Sequence, residues 1–341
     1  MWTSPKRAEA RAAGAAPLAA SAAAASAAAA SAAATAGAAT RPASAEAVLR
    51  RLEWTVIRRL DGLLQGDYRT LFRGAGLDLA DLREYQHHDD VRYIDWNLTA
   101  RLDTPYVREF TETREIAGWF LLDLSPSVDF GSGSVSKREL SRDFVTVLAR
   151  LLTRHGNRIG AVLYGSGVEA VIPARSGRLQ VLDLLHRLQT LPAPTRSRPT
   201  DLGVLFQGAQ EAIKRRSLVF VVSDFQSVPG WESALGRLAL RHEIIAVRLV
   251  DPLERELPDI GMITMQDAET GEQLLVDTHD RRFRQRFAEA SERRQQALEA
   301  AFARAGVDVI ELDTAEDLVD ALLRFAELRR MRSRLASGAT R

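Results

Sequence analysis

The chain has 341 residues, with 46 Lys and Arg against 45 Asp and Glu, and it contains no cysteine. Its length suggests two domains, or one domain of about 200–250 residues with appendages. A formal charge of +1 argues against a protein that coats nucleic acid or an anionic membrane, because such proteins usually carry a large basic excess. The lack of cysteine excludes disulfides, thiol catalysis and thiolate-ligated metal clusters.

The first 43 residues form an alanine-rich segment with scattered Ser, Gly and Pro. Alanine is only weakly hydrophobic, and Gly14 and Pro17 interrupt the run, so we predict a disordered tail and not a membrane span. Elsewhere the longest apolar runs, such as Leu218–Val222, are far shorter than the roughly 18 residues of a transmembrane helix. We therefore predict a soluble, globular protein, and the lack of cysteine is compatible with the cytoplasmic location that we expect.

Residues 44–115 are predicted to contain one helix and a small β-rich unit. Ser44 is a typical helix-capping residue, and apolar residues from Val48 to Leu63 recur every three or four positions. Short mixed segments further along predict strands near Tyr93–Trp96 and Pro105–Phe110.

Residues 116–334 alternate short apolar runs with amphipathic segments, which predicts an α/β fold with a doubly wound, mostly parallel sheet. Strands are predicted at Ala117–Asp123, Arg158–Tyr164, Glu169–Pro173, Leu218–Asp224, Glu243–Val250 and Asp308–Leu312, with a hairpin over Met262–Val276 that turns at Thr270-Gly271. Helices are predicted at Lys137–Arg154, Leu179–Leu191, Leu202–Arg215, Trp231–Arg241, Arg281–Ala305 and Ala315–Arg332. Residues 335–341 are predicted to form a flexible C-terminus.

Polar side chains follow several of these strands. The first strand ends in Asp123-Leu124-Ser125-Pro126-Ser127, Thr200 lies just before a predicted helix, and Asp224 ends a later strand. Asp and Ser also favour turns and helix caps, so the first segment alone would not predict a site. Because ligands bind at the carboxyl ends of the strands in open parallel sheets, the three segments together predict a metal-type site. Carboxylate and hydroxyl oxygens suit Mg²⁺, Mn²⁺ or Ca²⁺.

This arrangement resembles the metal-ion-dependent adhesion site of von Willebrand factor A domains. The resemblance implies hydroxyl ligands from Ser125, Ser127 and Thr200, with Asp123 and Asp224 binding directly or through water. It also implies that an acidic side chain of a partner protein completes the coordination of the metal. Asp201, next to Thr200, is a weaker candidate.

Motifs ahead of the predicted sheet indicate a particular family. They are Leu82-Arg83-Glu84-Tyr85, Asp89-Asp90-Val91-Arg92, Ile94-Asp95-Trp96, Thr99-Ala100-Arg101 and Tyr106-Val107-Arg108-Glu109-Phe110. Further matches are Ser136-Lys137, Val222-Ser223-Asp224-Phe225 and Asp251-Pro252-Leu253-Glu254. From about residue 45 to 330 the chain resembles domain-of-unknown-function family fifty-eight, although His88 stands where that family usually has Gly. The charged residues of the first block predict an ion-pair network between the β-rich unit and the A domain, or alternatively a docking surface.

The family resemblance also implies a function. Its members carry an adhesion-type A domain and are commonly encoded beside MoxR-type AAA+ ATPases. We therefore expect a non-enzymatic, divalent-metal-dependent binding module that partners such an ATPase or its client in chaperone-like assembly, maturation or metal insertion of a protein complex. Its partner would bind through an acidic residue.

Two alternatives stay open at the level of sequence. One is a Mg²⁺-dependent hydrolase or phosphotransferase with Asp123 as its nucleophile, and the other is a scaffold with a vestigial metal site. Haloacid-dehalogenase-like phosphatases carry an acid/base Asp two residues after the nucleophile, where this chain has Ser125. Because a serine hydroxyl cannot do that work near neutral pH, the sequence argues against the enzyme.

Overall fold

The computed structural model describes residues 44–57, 81–85, 96, 99, 104–109, 117–191 and 199–338. The predicted alanine-rich tail at 1–43, residues 192–198 and most of the charged block at 82–110 lie outside the described residues. The predicted strand at Tyr93–Trp96 also lies outside them, except for Trp96, which is helical. The predicted strand is therefore wrong at Trp96.

Within the described residues, the strands fall into one large sheet and two small antiparallel pairs. The large sheet consists of β3 (Ala117–Asp123), β4 (Arg158–Tyr164), β5 (Val168–Arg175), β6 (Leu218–Ser223), β7 (Glu243–Val250) and β10 (Asp308–Asp313). The small pairs are β1 (Asp81–Glu84) with β2 (Tyr106–Glu109), and β8 (Met262–Gln266) with β9 (Gln273–Asp277). The helices are α1 (Ala45–Leu52), α2 (Lys137–Arg154), α3 (Arg178–Thr190), α4 (Leu202–Ala212), α5 (Trp231–Ala239), α6 (Arg281–Ala305) and α7 (Leu318–Gly338).

The large sheet has the strand order β10-β7-β6-β3-β4-β5. All neighbouring strands pair in parallel except β4 and β5, which are antiparallel at one edge. The predicted α/β fold with a mostly parallel sheet is therefore confirmed. The direction in which successive strands are added reverses between β3 and β6, and such a switch point opens a crevice at the carboxyl ends of the two strands. Asp123 ends β3, and Asp224 directly follows β6.

Helices cover both faces of the sheet because each central strand is apolar on both sides. In β3, Phe120 and Leu122 pack in a core with α1, α2, α3 and α7. The alternate residues Trp119 and Leu121 pack in a second core with α4, α5 and α6. This alternation follows from the pleat of a strand, which directs successive side chains to opposite faces.

The N-terminal helix is attached to the sheet domain by packing and by charge. Ser44 caps α1, as predicted, and a π-helical turn at Glu53–Ile57 follows. Three ion pairs, each 2.6 Å long, join this segment to α2 and α3: Arg51 with Asp143, Arg150 with Glu53, and Arg178 with Glu46. The predicted remainder of the helix, towards Leu63, lies outside the described residues.

Most predicted boundaries agree with the structure to within about two residues, which is the usual scatter at element ends. The helix predicted to reach Arg215 ends at Ala212, because Ile213 leaves the helix and is buried in the core. Residues 335–338, predicted to be flexible, extend α7, since Leu and Ala are good helix formers. No helix among the described residues is long and apolar enough to cross a membrane.

Candidate functional site

The carboxyl end of β3 carries a buried carboxylate that is held on both oxygens. Asp123 Oδ1 accepts a hydrogen bond from the Ser125 amide at 2.9 Å, and Oδ2 accepts one from Ser223 Oγ at 2.6 Å. The side chain is fully buried. The two serine hydroxyls of the predicted site, Ser125 and Ser127, are also buried, and their oxygens lie 3.1 Å apart. Asp123, Ser125 and Ser127 therefore form one compact group of oxygen donors.

The negative charge of Asp123 is poorly compensated. Burial raises the pKa of its carboxyl to about 6, and the neighbouring charge of Asp224 adds to this rise. Hydrogen bonds from Ser223 and Ser125 oppose the rise without cancelling it. A carboxylate in this state gains stability from a nearby cation, because opposite charge favours its ionised form.

Asp224 is paired with a lysine that the sequence did not place in the site. Lys137, the first residue of α2, is fully buried, and its Nζ lies 2.7 Å from Asp224 Oδ2 and 2.8 Å from Glu254 Oε1. Burial alone would lower the pKa of Lys137, but the two carboxylates outweigh it and raise that pKa. Burial also raises the pKa of Glu254. The structure thus places an internal cation beside one of the predicted metal ligands.

The chain turns sharply after Asp224. Phe225 has a φ of +58°, a left-handed conformation that is rare for a bulky residue, and its amide donates to Ser223 Oγ at 2.8 Å. Asp224 Oδ1 accepts from the Gln226 amide at 3.0 Å. Such strain is found where the surrounding structure fixes a side chain for function. Oδ2 of Asp224 is bonded to the Lys137 ammonium, whose positive charge repels a metal ion at the same carboxylate, so a contact to a metal through water fits this residue better than a direct one.

Thr200 is fixed at the same edge of the sheet. Its carbonyl oxygen accepts from the Val228 amide at 2.9 Å and from Ser227 Oγ at 3.1 Å, which joins it to the loop after β6. Its hydroxyl donates to Glu269 Oε1 at 2.9 Å. The adjacent Asp201 caps α4 by accepting from the Gly203 amide, so this weaker candidate has a structural role.

Glu269 comes from the turn between β8 and β9. Burial raises the pKa of its carboxyl to about 7, and the charges of Asp123, Asp224 and Asp267 add to the rise against the opposing hydrogen bond from Thr200. Three of the predicted site residues therefore interact with a carboxylate that sequence reasoning missed.

The residues at this edge fit a divalent cation by their chemistry. In the part of the chain that the structure describes, no three His, Asp or Glu side chains are placed to hold a metal ion by themselves. A cation would therefore depend on the hydroxyls of Ser125, Ser127 and Thr200 together with the carboxylates. Four acidic residues lie at the site: Asp123, Asp224, Glu254 and Glu269. Lys137, Arg248 and Arg294 compensate Asp224 and Glu254, whereas Asp123 and Glu269 are repelled by their acidic neighbours. Hard oxygen donors with excess negative charge suit Mg²⁺, Mn²⁺ or Ca²⁺.

Comparison with known proteins identifies the family. The family described as "Protein of unknown function DUF58" matches residues 81–297, which is more than half of the chain. The chain belongs to the DUF58 family. The resemblance predicted from the sequence motifs is thereby confirmed. This DUF58 protein is 34% identical over 284 residues to the uncharacterized protein Rv1480 of Mycobacterium tuberculosis (strain H37Rv). The aligned region covers 83% of this chain and 89% of that protein.

Two solved structures are similar at low identity. The conserved hypothetical protein BatB from Bacteroides thetaiotaomicron covers 63% of this DUF58 chain and 99% of its own, with a TM-score of 0.39 and 11% identity. An aerotolerance-related membrane protein from Bacteroides fragilis NCTC 9343 covers 62% of this chain and 98% of its own, with a TM-score of 0.40 and 12% identity.

Several residues of the site could not be predicted from the spacing of residues along the sequence. Lys137, Ser223 and Glu254 lie in segments that carried the family resemblance, but no local pattern predicts that they converge. Glu269 lies in the predicted hairpin turn and has no sequence signal of its own. Their proximity depends on how the loops of the DUF58 chain fold over the ends of β3 and β6.

Replacement of Ser223 by alanine tests the support of Asp123. In Ser223→Ala, Asp123 Oδ2 and the Phe225 amide lose their buried partner, so we expect the free energy of unfolding to fall by about 1–3 kcal/mol. Urea denaturation measures the change. Ser233→Ala, at an exposed position, is the control and should stay within about 0.5 kcal/mol of wild type. Equal stability of the two variants would show that the Ser223 hydroxyl is not needed.

Proposed function

We propose that this protein is a non-enzymatic, divalent-metal-dependent protein-binding module with a site of the von Willebrand factor A type. The observation that carries the proposal is the pair of buried hydroxyls of Ser125 and Ser127, 3.1 Å apart beside the buried carboxylate of Asp123. These oxygens lie at the switch point of a mostly parallel sheet, where ligands of such folds bind.

Ser125, Ser127 and Thr200 would hold Mg²⁺, Mn²⁺ or Ca²⁺ through their hydroxyl oxygens. Asp123 would add its charge from the end of β3, and Asp224 would act through water because Lys137 already occupies one of its oxygens. A bound divalent ion would supply Lewis acidity. Neutral hydroxyls compensate little of its charge, so an acidic side chain from another protein is a favourable additional ligand.

We propose a MoxR-type AAA+ ATPase, or the client of that ATPase, as the partner. The pair would act in the cytoplasm in chaperone-like assembly, maturation or metal insertion of a protein complex. Membership in the DUF58 family supports this proposal, since the family resemblance is what implies the ATPase.

The surroundings of Asp123 support a binding role over the hydrolase or phosphotransferase alternative. A nucleophilic carboxylate must reach its substrate, whereas Asp123 is fully buried and both of its oxygens accept hydrogen bonds. Ser125 stands where haloacid-dehalogenase-like phosphatases need an acid/base residue. Mg²⁺-dependent release of phosphate from p-nitrophenyl phosphate that disappears in Asp123→Asn would favour the enzyme instead.

Removal of the two serine hydroxyls tests the metal site. We expect Ser125→Ala/Ser127→Ala to raise the Kd for Mn²⁺ at least about tenfold in titration calorimetry, because two of the proposed oxygen ligands are lost. The matched control is Ser132→Ala/Ser134→Ala, two exposed serines in the loop before α2, which should bind Mn²⁺ like wild type. Unchanged Mn²⁺ affinity in the first variant, or no binding by wild type, would contradict the metal site.

Capture of the ATPase with and without EDTA tests metal bridging. Wild-type protein should retain a MoxR-type ATPase in the presence of Mg²⁺ and lose it with chelator. The Ser125→Ala/Ser127→Ala variant should fail to retain it under both conditions. A complex that forms equally well with chelator would disprove metal bridging even if the partnership is real.

A further inference from the structure

The turn between β8 and β9 inserts a carboxylate into the candidate site. Glu269 Oε1 accepts the hydroxyl of Thr200 at 2.9 Å, although the two residues are 69 positions apart in the chain. Its other oxygen, Oε2, is buried and has no hydrogen-bond partner among the described residues. A buried carboxylate oxygen without a partner is costly, so a cation that Oε2 could coordinate would be favourable at this position.

The turn is built to hold Glu269 in this place. Asp267 Oδ1 accepts the amides of Glu269 at 2.7 Å and Thr270 at 2.9 Å, and its backbone carbonyl accepts the Gly271 amide at 2.9 Å. Gly271 has a φ of +76°, which a residue with a Cβ rarely adopts. Below the turn, the hairpin is fixed by a small core of its own, formed by Leu257, Met265, Val276 and Phe287. The carboxylate is therefore presented by an anchored hairpin.

The charges around Glu269 also favour a cation at this position. The carboxylates of Asp123 and Asp224 are close enough to act on it electrostatically, and both repel it. The buried ammonium of Lys137 is bonded to Asp224 and Glu254, and not to Glu269. A hairpin that holds a third carboxylate against two others is unfavourable unless a carboxyl group binds a proton or a cation lies between them, and a divalent cation relieves all three repulsions at once.

We infer that Glu269 is an internal ligand of this site and occupies the position that an acidic side chain of a partner would otherwise take. This inference rests on the metal-dependent function proposed above. It adds a consequence: the isolated chain completes its own metal coordination, and a partner's carboxylate binds only by displacing the β8–β9 turn. The affinity of Glu269 for the metal thus sets how tightly a partner's carboxylate must bind in order to displace it.

The test uses Mn²⁺ alone as the probe, with acetate as a substitute carboxylate. In Glu269→Ala, the Kd for Mn²⁺ should rise about tenfold, and the water-proton relaxation rate of bound Mn²⁺ should increase because a water replaces the carboxylate. Millimolar acetate should restore tighter binding in Glu269→Ala and leave wild type unchanged. Glu269→Gln should also raise the Kd for Mn²⁺, although glutamine fills the same volume as glutamate and opens no room for an extra water. Glu272→Gln, at an exposed position of the same turn, is the matched control.

The outcomes separate this inference from the proposed function. If wild type binds Mn²⁺ through Ser125 and Ser127 but Glu269→Ala keeps the wild-type affinity and relaxation rate, the internal ligand is disproved and the metal site stands. If Glu272→Gln changes the Kd for Mn²⁺ as much as Glu269→Ala does, the effect comes from the net charge of the turn and not from a ligand, and the inference also fails. If wild type binds no Mn²⁺, the metal-dependent function itself fails together with the inference. Thermal unfolding of each variant confirms that the hairpin substitutions leave the protein folded.

Discussion

Lys137→Met is expected to lower the free energy of unfolding by about 3–5 kcal/mol. The Lys137 ammonium is fully buried and lies within 2.8 Å of carboxylate oxygens of both Asp224 and Glu254. Methionine fills similar volume but removes the ammonium that is hydrogen-bonded to both carboxylates, and only the more distant guanidinium groups of Arg248 and Arg294 stay to compensate them. A buried charge that loses its partner costs far more than the ion pair contributes when intact.

Urea denaturation monitored by tryptophan fluorescence measures this loss. The control is Lys214→Met, because Lys214 is exposed and its replacement should change stability by less than about 0.5 kcal/mol. Adding Asp224→Asn to Lys137→Met removes one of the stranded charges and should recover part of the stability. If Lys137→Met is no less stable than Lys214→Met, the buried ion pair is not structural.

Asp123→Asn is expected to have opposite effects on stability and on metal binding. Without metal, the pKa of the Asp123 carboxyl is about 6 in the folded protein against an ordinary value of 3.8, chiefly because of burial. A raised carboxyl pKa contributes stability that is fully present below about pH 4 and is lost as the pH rises through about 6, amounting to about 3 kcal/mol. Neutral Asn avoids this loss, so the metal-free variant should be about 1–3 kcal/mol more stable than wild type at pH 7.5.

The same variant should lose the stabilisation that wild type gains from Mg²⁺. Thermal unfolding at pH 5 and pH 7.5, with and without 5 mM Mg²⁺, measures both effects in one series. Wild type should be stabilised by Mg²⁺ mainly at the higher pH, where Asp123 is ionised, and Asp123→Asn should lose the response to Mg²⁺ and keep only the smaller pH dependence that comes from other groups such as Glu269. A variant that is less stable than wild type at pH 7.5 would show that the hydrogen bonds to Asp123 outweigh its desolvation.

Lys137 and Asp123 show how negative charge is compensated in the site. Lys137 compensates Asp224 permanently, whereas Asp123 has no buried cation bonded to it among the described residues. An activity that needs a divalent ion would retain such an uncompensated carboxylate despite its cost, because active sites are commonly less stable than the fold allows. The proposed metal would therefore contribute to folding stability as well as to binding.

Much of the fold could be predicted from local pattern. The apolar run Ala117–Asp123, the capped helix at Lys137–Arg154 and the hairpin turning at Thr270-Gly271 all form close to where the sequence places them. Each is determined by residues close together in the chain, namely strand apolarity, the Ser136 cap and a Gly that accepts positive φ. The helix end at Ala212 was missed because burial of Ile213 in the core, and not local propensity, ends that helix.

The sequence by itself determined the candidate hydroxyl and carboxylate donors, since residues at the carboxyl ends of parallel strands must share an edge of the sheet. Only the tertiary structure decided what these donors contact. It placed Lys137 against Asp224, Ser223 against Asp123 and Glu269 against Thr200. These contacts join positions 69 to 100 residues apart, and they form because burial of charged groups forces each to find a partner wherever the packed loops bring one within reach.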